Sequence, residues 1–393
     1  MTTTTSSGDI VFVDDPAQLP AALARLTGDV VGVDVERADA HNYYRRAALV
    51  QVGDADTCLL IDPLALPDLA AVDDALASRL VVLHAVENDL EPLEIVGIRP
   101  RSLADTAVAA AVLGLPTGLG PLLETVLGVE LSADKERFQR ADWEQRPLDD
   151  DMAEYAAGDV FSLPSLWEEL SRRLDEAGRR DWYEQELVAV IERSREDRRD
   201  WTRTKGSGRL SGPARAILRA LWHEREAVSK EHDIAPNRLL RDQTLLDLAN
   251  TPPETPEQLV RRNQRRSGPL RDHAARLFAA LQQGVAAEPE PKEAAGRRWD
   301  DSDKAAYDAM RRSRAELADE LGLDAGVLCP SRPLWAAVAG EPRDPAELAE
   351  LAGLRPWQAD LLADRLFGVY REIKDAAAEG TATEDEPVDA DSA

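Results

Sequence analysis

Hydrophobic residues recur along this chain in two rhythms. VVGVDVE (30–36), AALVQVG (47–53), TCLLID (57–62) and RLVVLHA (79–85) are short, rich in Val and Leu, and bounded by turn residues or charges, which predicts strands. The first three follow one another with few residues between them, so antiparallel hairpins are expected there rather than crossovers. Helical spacing is predicted over roughly 65–78, 87–96, 104–114, 118–128 and 149–174. Strands followed by helices within one segment imply a mixed sheet flanked by helices.

The helix expected over 149–174 carries the most detail. Asp149 is placed to cap it, and Asp150 and Asp151 suit the positive end of its dipole. Met152, Ala156, Leu163, Leu166 and Leu170 recur at helical intervals and face the core. Pro164 lacks the N–H that would bond the Val160 carbonyl, so a kink or break is expected there. Tyr155 and Asp159 stand four apart, on one face of the turns before it.

RTKGSGRLSG (203–212) interrupts the pattern, and the chain beyond it is all-helical. Ile217, Leu218, Leu221, Trp222 and Ala227 mark one amphipathic helix, and Leu245, Leu246 and Leu248 a short second. A third starts with Thr255 as cap and Pro256 at the first helical position. The expected organisation is a disordered N-terminus (1–8), an α/β block with a connecting helix (9–204), a helical block (205–285), a Pro- and Glu-rich linker (286–300), a second helical block (301–376), and a disordered acidic tail (377–393).

Charge changes this picture in one place. The chain of 393 residues has a formal net charge of −27, which on its face argues against a nucleic-acid partner. Divided along the chain, residues 1–174 carry −18, 175–204 carry −2, 205–284 carry +5 and 285–393 carry −12. One basic block thus sits within an acidic protein. Its densest cluster is Arg261, Arg262, Arg265 and Arg266, which reads either as a solvated helix face or as phosphate contacts. Trp201, Trp222 and Trp299 are offered both base stacking and core packing, and packing is the expectation. Two distant cysteines, Cys58 and Cys329, suggest neither a disulfide framework nor a thiolate site, and fit a reducing compartment. The N-terminus has no basic-then-apolar signal and no run approaches a membrane span, so a cytoplasmic protein without a membrane partner is expected.

The chemistry begins with Asp34 and Glu36. Two apart on a strand, they share a face, where two carboxylates repel and lose hydration. A bound cation would offset that cost; so would a strand end emerging into solvent. Two further acidic features lie in the same block: LHAVENDLEPL (83–93), containing Asp89, and YAAGD, containing Tyr155 and Asp159. Taken singly, an Asp early in a helix is ordinarily a capping or solvated residue, and His84 is expected to be a satisfied polar residue near the sheet, not a ligand.

In order and spacing these features resemble the DEDD exonuclease domain of the ribonuclease D type, in its tyrosine-containing subgroup, over about residues 10–174. The D-x-E strand matches the first motif, HAVENDLEPL the second, and DKERFQRADWEQRPLDDDMAEYAAGDV (134–160) the approach to the third, Y-x-x-x-D. LADTAVAAAVLG (103–114) resembles the segment between motifs two and three. Arg37 departs from the pattern, since many members carry an aromatic residue after the Glu. The segment 217–259, with its L-W-x-x-R-E core and P-x-T-x-x-x-L ending, resembles an HRDC domain, and 301–376 a divergent second copy. The resemblance implies a ribonuclease H-like α/β exonuclease domain followed by two all-α HRDC-like domains.

It also implies a reaction. Two divalent cations, Mg²⁺ or Mn²⁺, would activate water and steady the leaving oxygen in phosphodiester hydrolysis. Asp34 would bridge both, Glu36 and Asp159 would hold the one that activates water, Asp89 would support the other, and Tyr155 would orient the water. The expected partner is RNA with a free 3′ end, such as tRNA precursors or other small stable RNAs, acted on by a monomer that releases nucleoside 5′-monophosphates. A DNA-directed 3′→5′ exonuclease is the near alternative, because a carboxylate cage contacts phosphates and not the 2′-hydroxyl. A non-catalytic nucleic-acid-binding protein that keeps the fold is the more distant one; it would be favoured by loss of a motif carboxylate, and none is lost.

Overall fold

The computed structural model describes residues 8–37, 41–129, 138, 141–196, 199–262, 269–291 and 297–384. Its first block is organised by a six-stranded mixed sheet in the order β1-β4-β3-β2-β5-β6. The strands are β1 (Asp9–Val13), β2 (Val30–Arg37), β3 (Ala47–Gly53), β4 (Thr57–Ile61), β5 (Leu80–Leu83) and β6 (Leu103–Asp105). The expected hairpins are present, β2 antiparallel to β3 and β3 to β4. The pairs β1–β4, β2–β5 and β5–β6 are parallel.

Alternation along β2 assigns its two faces. Val31, Val33 and Val35 enter a core with Leu76, Leu90 and Leu93, under helices α1 (Leu19–Leu23), α2 (Ala70–Leu76) and α3 (Leu90–Ile95). Gly32, Asp34 and Glu36 therefore face the other side. After α4 (Thr106–Leu113) and α5 (Leu119–Leu127), helix α6 (Asp150–Phe161) crosses that side, packing Met152, Ala156, Ala157 and Val160 on Leu49, Cys58 and Leu60. Gly32 permits the approach: a Cβ there would stand 2.7 Å from the Val160 carbonyl oxygen.

Several boundaries differ from the sequence expectation. The break expected near Pro164 is present but falls at Ser162, dividing the segment 149–174 into α6 and α7 (Leu163–Glu176). Pro164 falls in the first turn of α7, where its missing N–H costs nothing. β1 and the three-residue β6 were not expected as strands, and β6 takes the start of the helix predicted over 104–114. The predicted helix over 65–78 shrinks to α2, and that over 87–96 opens with a 3₁₀ turn, Val86–Asn88. Asp149 does cap α6, accepting the Asp151 N–H at 3.0 Å.

Helix α8 (Arg180–Arg195) links the nuclease block to two helical modules. The first runs Gly212–His232, Pro236–Leu239, Asp242–Asn250, Pro256–Arg262 and Leu270–Ala286; the second runs Asp301–Leu321, Ala325–Leu328, Ser331–Ala339, Pro345–Leu351 and Pro356–Glu384. Their first four helices have the same lengths, 21, 4, 9 and 7 residues. Each module buries an arginine at the fourteenth position of its long helix. Arg225 donates to the Leu240 carbonyl and Arg314 to the Cys329 carbonyl, each just after the four-residue helix. The Arg of the L-W-x-x-R-E run is thus an internal brace, since an unpaired buried guanidinium would be costly. Trp201 and Trp222 are core residues of the first module, and Trp299 stacks on Trp335 in the second, 5.2 Å between centroids. The final helix passes through 377–384, within the expected disordered tail, because Ala376–Ala378 are strong helix formers whatever the acidity around them.

The second module docks on α8. Trp182 stacks on Trp357 at 4.7 Å, and Glu186 pairs with Arg355 and accepts the Trp357 indole N–H at 2.8 Å. Among the described residues no helix is long and apolar enough to cross a membrane.

Candidate active site

Strand β2 and helix α6, far apart in sequence, bring three acids together. The ligand oxygens of Asp34, Glu36 and Asp159 lie within 4.8 Å of one another, all three side chains half-buried. This is the one cluster of its kind among the described residues. Burial, followed by the charges of Asp34 and Asp159, pushes the Glu36 carboxyl up to about 9, with Arg37 pulling the other way. Three carboxylates this close do not all ionise without a counter-charge.

Asp89 stands beside the triad. It is 3% exposed and begins α3 without making a side-chain capping bond, so the solvated or capping role usual for an early helical Asp is not the one seen. Burial, then Asp34, drives its carboxyl well above the usual range; Arg37 opposes this. The residue that departs from the family pattern therefore supplies positive charge to two of the acids.

Tyr155 bonds Asp159 one turn along α6, and burial, then Asp159 and Glu36, hold its phenol in the neutral form. Its ring stacks on Phe138 at 4.9 Å and leans on Trp143 at 6.3 Å. These aromatics come from the FQRADW run, whose neighbouring Asp134 and Lys135 lie outside the described residues. The following Arg146 donates to both carboxylate oxygens of buried Asp62, at 2.6 and 2.8 Å, and to the Ala48 carbonyl at 2.8 Å. That fork fastens the approach to α6 onto the sheet.

Three functional neighbours escaped the sequence reading. Asp105, fully buried, caps α4 through the N–H groups of Ala107 and Val108, and also accepts from Ala85 and Val86. Ala85 is left-handed, φ 65°, so Asp105 holds the strained turn that leads to Asp89. Asp105→Ala should leave four N–H groups without this acceptor, two of them buried and two part-buried, and lower the stability of the nuclease block by about 3 kcal/mol, measured by chemical denaturation. The second is Gln51, across from Asp34 in β3, wholly buried, with neither amide atom meeting a hydrogen-bond partner among the described residues. Tyr183 is the third, its hydroxyl accepting the Asp105 N–H at 3.0 Å. His84 is satisfied by Thr106, Nδ1 to Oγ1 at 2.8 Å.

The donor set is all oxygen and acidic, which suits hard divalent cations. The buried amide of Gln51, Asp34's register partner on the next strand, adds a polar group that apolar packing would not have left. The residues present fit hydrated divalent metal.

Known proteins share this arrangement. The 3'-5' exonuclease family matches residues 10–175, and the HRDC domain matches 214–281 and 303–370. The structure of Escherichia coli RNase D, described as an exoribonuclease involved in structured RNA processing, superposes with a TM-score of 0.74 at 25% identity, covering 93% of this chain and 99% of that one. A ribonuclease D of Sphingobium indicum is 34% identical over 256 residues, 62% of this chain and 64% of that protein. The ribonuclease D of Pseudomonas paraeruginosa is 32% identical over 379 residues, 91% of this chain and 97% of its own length. The chain belongs to the ribonuclease D family. As a ribonuclease D family member it is a 3′–5′ exoribonuclease, with one nuclease domain followed by two HRDC domains. The repeated helix lengths and the paired buried arginines agree with a second HRDC copy at 303–370.

Proposed function

We propose that this exoribonuclease removes nucleotides one at a time from RNA 3′ ends by metal-assisted hydrolysis, releasing nucleoside 5′-monophosphates, and that tRNA precursors or other small stable RNAs are its natural substrates. The convergence of Asp34, Glu36 and Asp159 carries the reading. Asp34, Glu36, Asp159 and Asp89 are the residues proposed to hold two divalent ions, Mg²⁺ or Mn²⁺. When bound, such ions lower the pKa of water and neutralise charge at the scissile phosphate.

The chain's own residues do the rest. Asp34 is placed centrally, its charge acting on both Glu36 and Asp89. Tyr155 stays protonated, donates to Asp159, and offers its oxygen to the attacking water; it orients and does not act as a base. Phe138 and Trp143 fix its ring, and Arg37 moderates the acids' repulsion.

Arg261 and Arg262, exposed at the end of their helix, are proposed with Arg265 and Arg266 to contact RNA phosphates; the latter two lie outside the described residues. Arg262 also bonds the Thr251 carbonyl, so part of its role is local. A cytoplasmic site of action is proposed from the two buried free cysteines and the absence of a spanning helix among the described residues.

Matched RNA and DNA oligomers, digested with Mg²⁺, Mn²⁺ or chelator, test the reading. Stepwise release of 5′-monophosphates from RNA in either metal is expected, with slower digestion of DNA. Equal rates on DNA would overturn the RNA assignment, and products bearing 3′-phosphates would overturn the chemistry.

A further inference from the structure

We propose that Asp233, in the first HRDC module, is a positioning residue for the catalytic strand. Through it the module shapes the active centre, whatever it contributes to RNA binding. The inference rests on the exoribonuclease reading above.

The strap 41–46 carries the chain from β2 into β3. Ala47, which follows it, is the register partner of Arg37, and the register slips between Glu36 and Arg37, immediately after a site acid. One oxygen of Asp233 accepts the N–H groups of Tyr43 and Tyr44, each at 3.0 Å. The other pairs with Arg46 at 2.5 Å. Two residues on, the Ala235 N–H donates to the His41 carbonyl at 3.0 Å. The module thus grips the strap at four of its six residues. On its other side the strap reaches the second motif, where Arg45 lies 3.6 Å from Glu91, two residues beyond Asp89. A shift of the strap is therefore felt at Glu36 and at the helix that Asp89 begins.

The conformation of Asp233 shows that it is placed for this contact. It ends the 21-residue helix of its module in the left-handed region, φ 50° and ψ 48°. In the second module the residue at the same point is Gly322, φ 65° and ψ 37°. Glycine is the usual and cheaper residue there, while an Asp must overcome steric opposition from its Cβ. A cap alone calls for glycine. What the aspartate adds is a carboxylate, and both of its oxygens are committed to the strap.

The duplication supplies the test. Asp233→Gly restores the residue of the second module, so the full-length enzyme should fold with an unchanged or higher melting temperature. Hydrogen exchange at the strap amides should accelerate at least about tenfold. Turnover should fall about tenfold on a trinucleotide as well as on a long oligomer, with little change in KM for the trinucleotide. Asp233→Asn tolerates the same backbone, keeps an oxygen for both N–H groups, and should restore turnover to within about threefold. Wild-type exchange and turnover in Asp233→Gly would overturn the proposal, as would faster exchange with unchanged turnover. A defect confined to KM for the long oligomer would also overturn it, placing Asp233 in RNA binding. If the wild-type enzyme hydrolyses no RNA in Mg²⁺ or Mn²⁺, the exoribonuclease reading fails, and strap exchange alone then decides whether the clamp exists.

Discussion

Asp34→Asn should reduce RNA hydrolysis at least about a thousandfold while raising the melting temperature of the metal-free protein. The two effects share one cause. Asp34 is the leading charge pushing up Asp89 and, after burial, the leading influence on Glu36. Its removal relaxes a crowded group of like charges, and an amide of the same shape preserves the side-chain volume opposite Gln51. The same removal takes away the acid placed between the other metal-holding candidates. Sites for function are commonly costly to the fold, and the paired readouts separate that cost from a general loss of structure. Hydrolysis of a 3′-extended RNA and calorimetry on the same preparation measure both. Activity within about tenfold of wild type would remove Asp34 from the reaction.

The second large effect is on metal and pH together. Chelation should abolish hydrolysis, and the metal-free protein should lose stability steadily as pH rises from about 5 to about 9. Glu36 explains the direction. In the fold its carboxyl is held up to about 9, against 4.5 for an unperturbed Glu. Between those values the unfolded chain has released this proton and the native protein still holds it. Folding must then take up a proton, which becomes harder with each step in pH. The stability is complete below the unfolded value and is lost as pH climbs through the folded one. Asp89 is shifted in the same direction and adds to the trend. Saturating Mg²⁺ or Mn²⁺ should flatten it, because a bound cation favours the ionised acids. Thermal melts across this window, with and without metal, provide the check. A metal-free melting temperature that stays level or rises would contradict the account.

How far the sequence alone reached differs from element to element. Strand β2 was legible because Val31, Val33 and Val35 alternate with a polar face, and that alternation set Asp34 and Glu36 on one side. Tyr155 and Asp159 were legible as neighbours by helical spacing alone. That these two pairs meet was not readable from periodicity, since more than a hundred residues separate them; only the family resemblance suggested it. β6 escaped because three residues show no period. Asp105 was not singled out: it caps α4, and its further bonds to Ala85 and Val86 depend on tertiary placement. Gln51 was one polar letter in an apolar run, and its significance comes from standing opposite Asp34. Asp233 had no local signal: left-handed backbone and a partner nearly two hundred residues away are invisible in the string.

The clasp between α8 and the second module has a practical corollary for anyone trimming the protein. Glu186 and Trp182 hold Arg355 and Trp357, and on the same helix Tyr183 props the backbone of Asp105, which secures the turn before Asp89. A fragment cut ahead of residue 301 would bare an indole face and set adrift the buttress behind that turn. Weak activity in such a fragment would report a lost scaffold before it reported a lost grip on RNA.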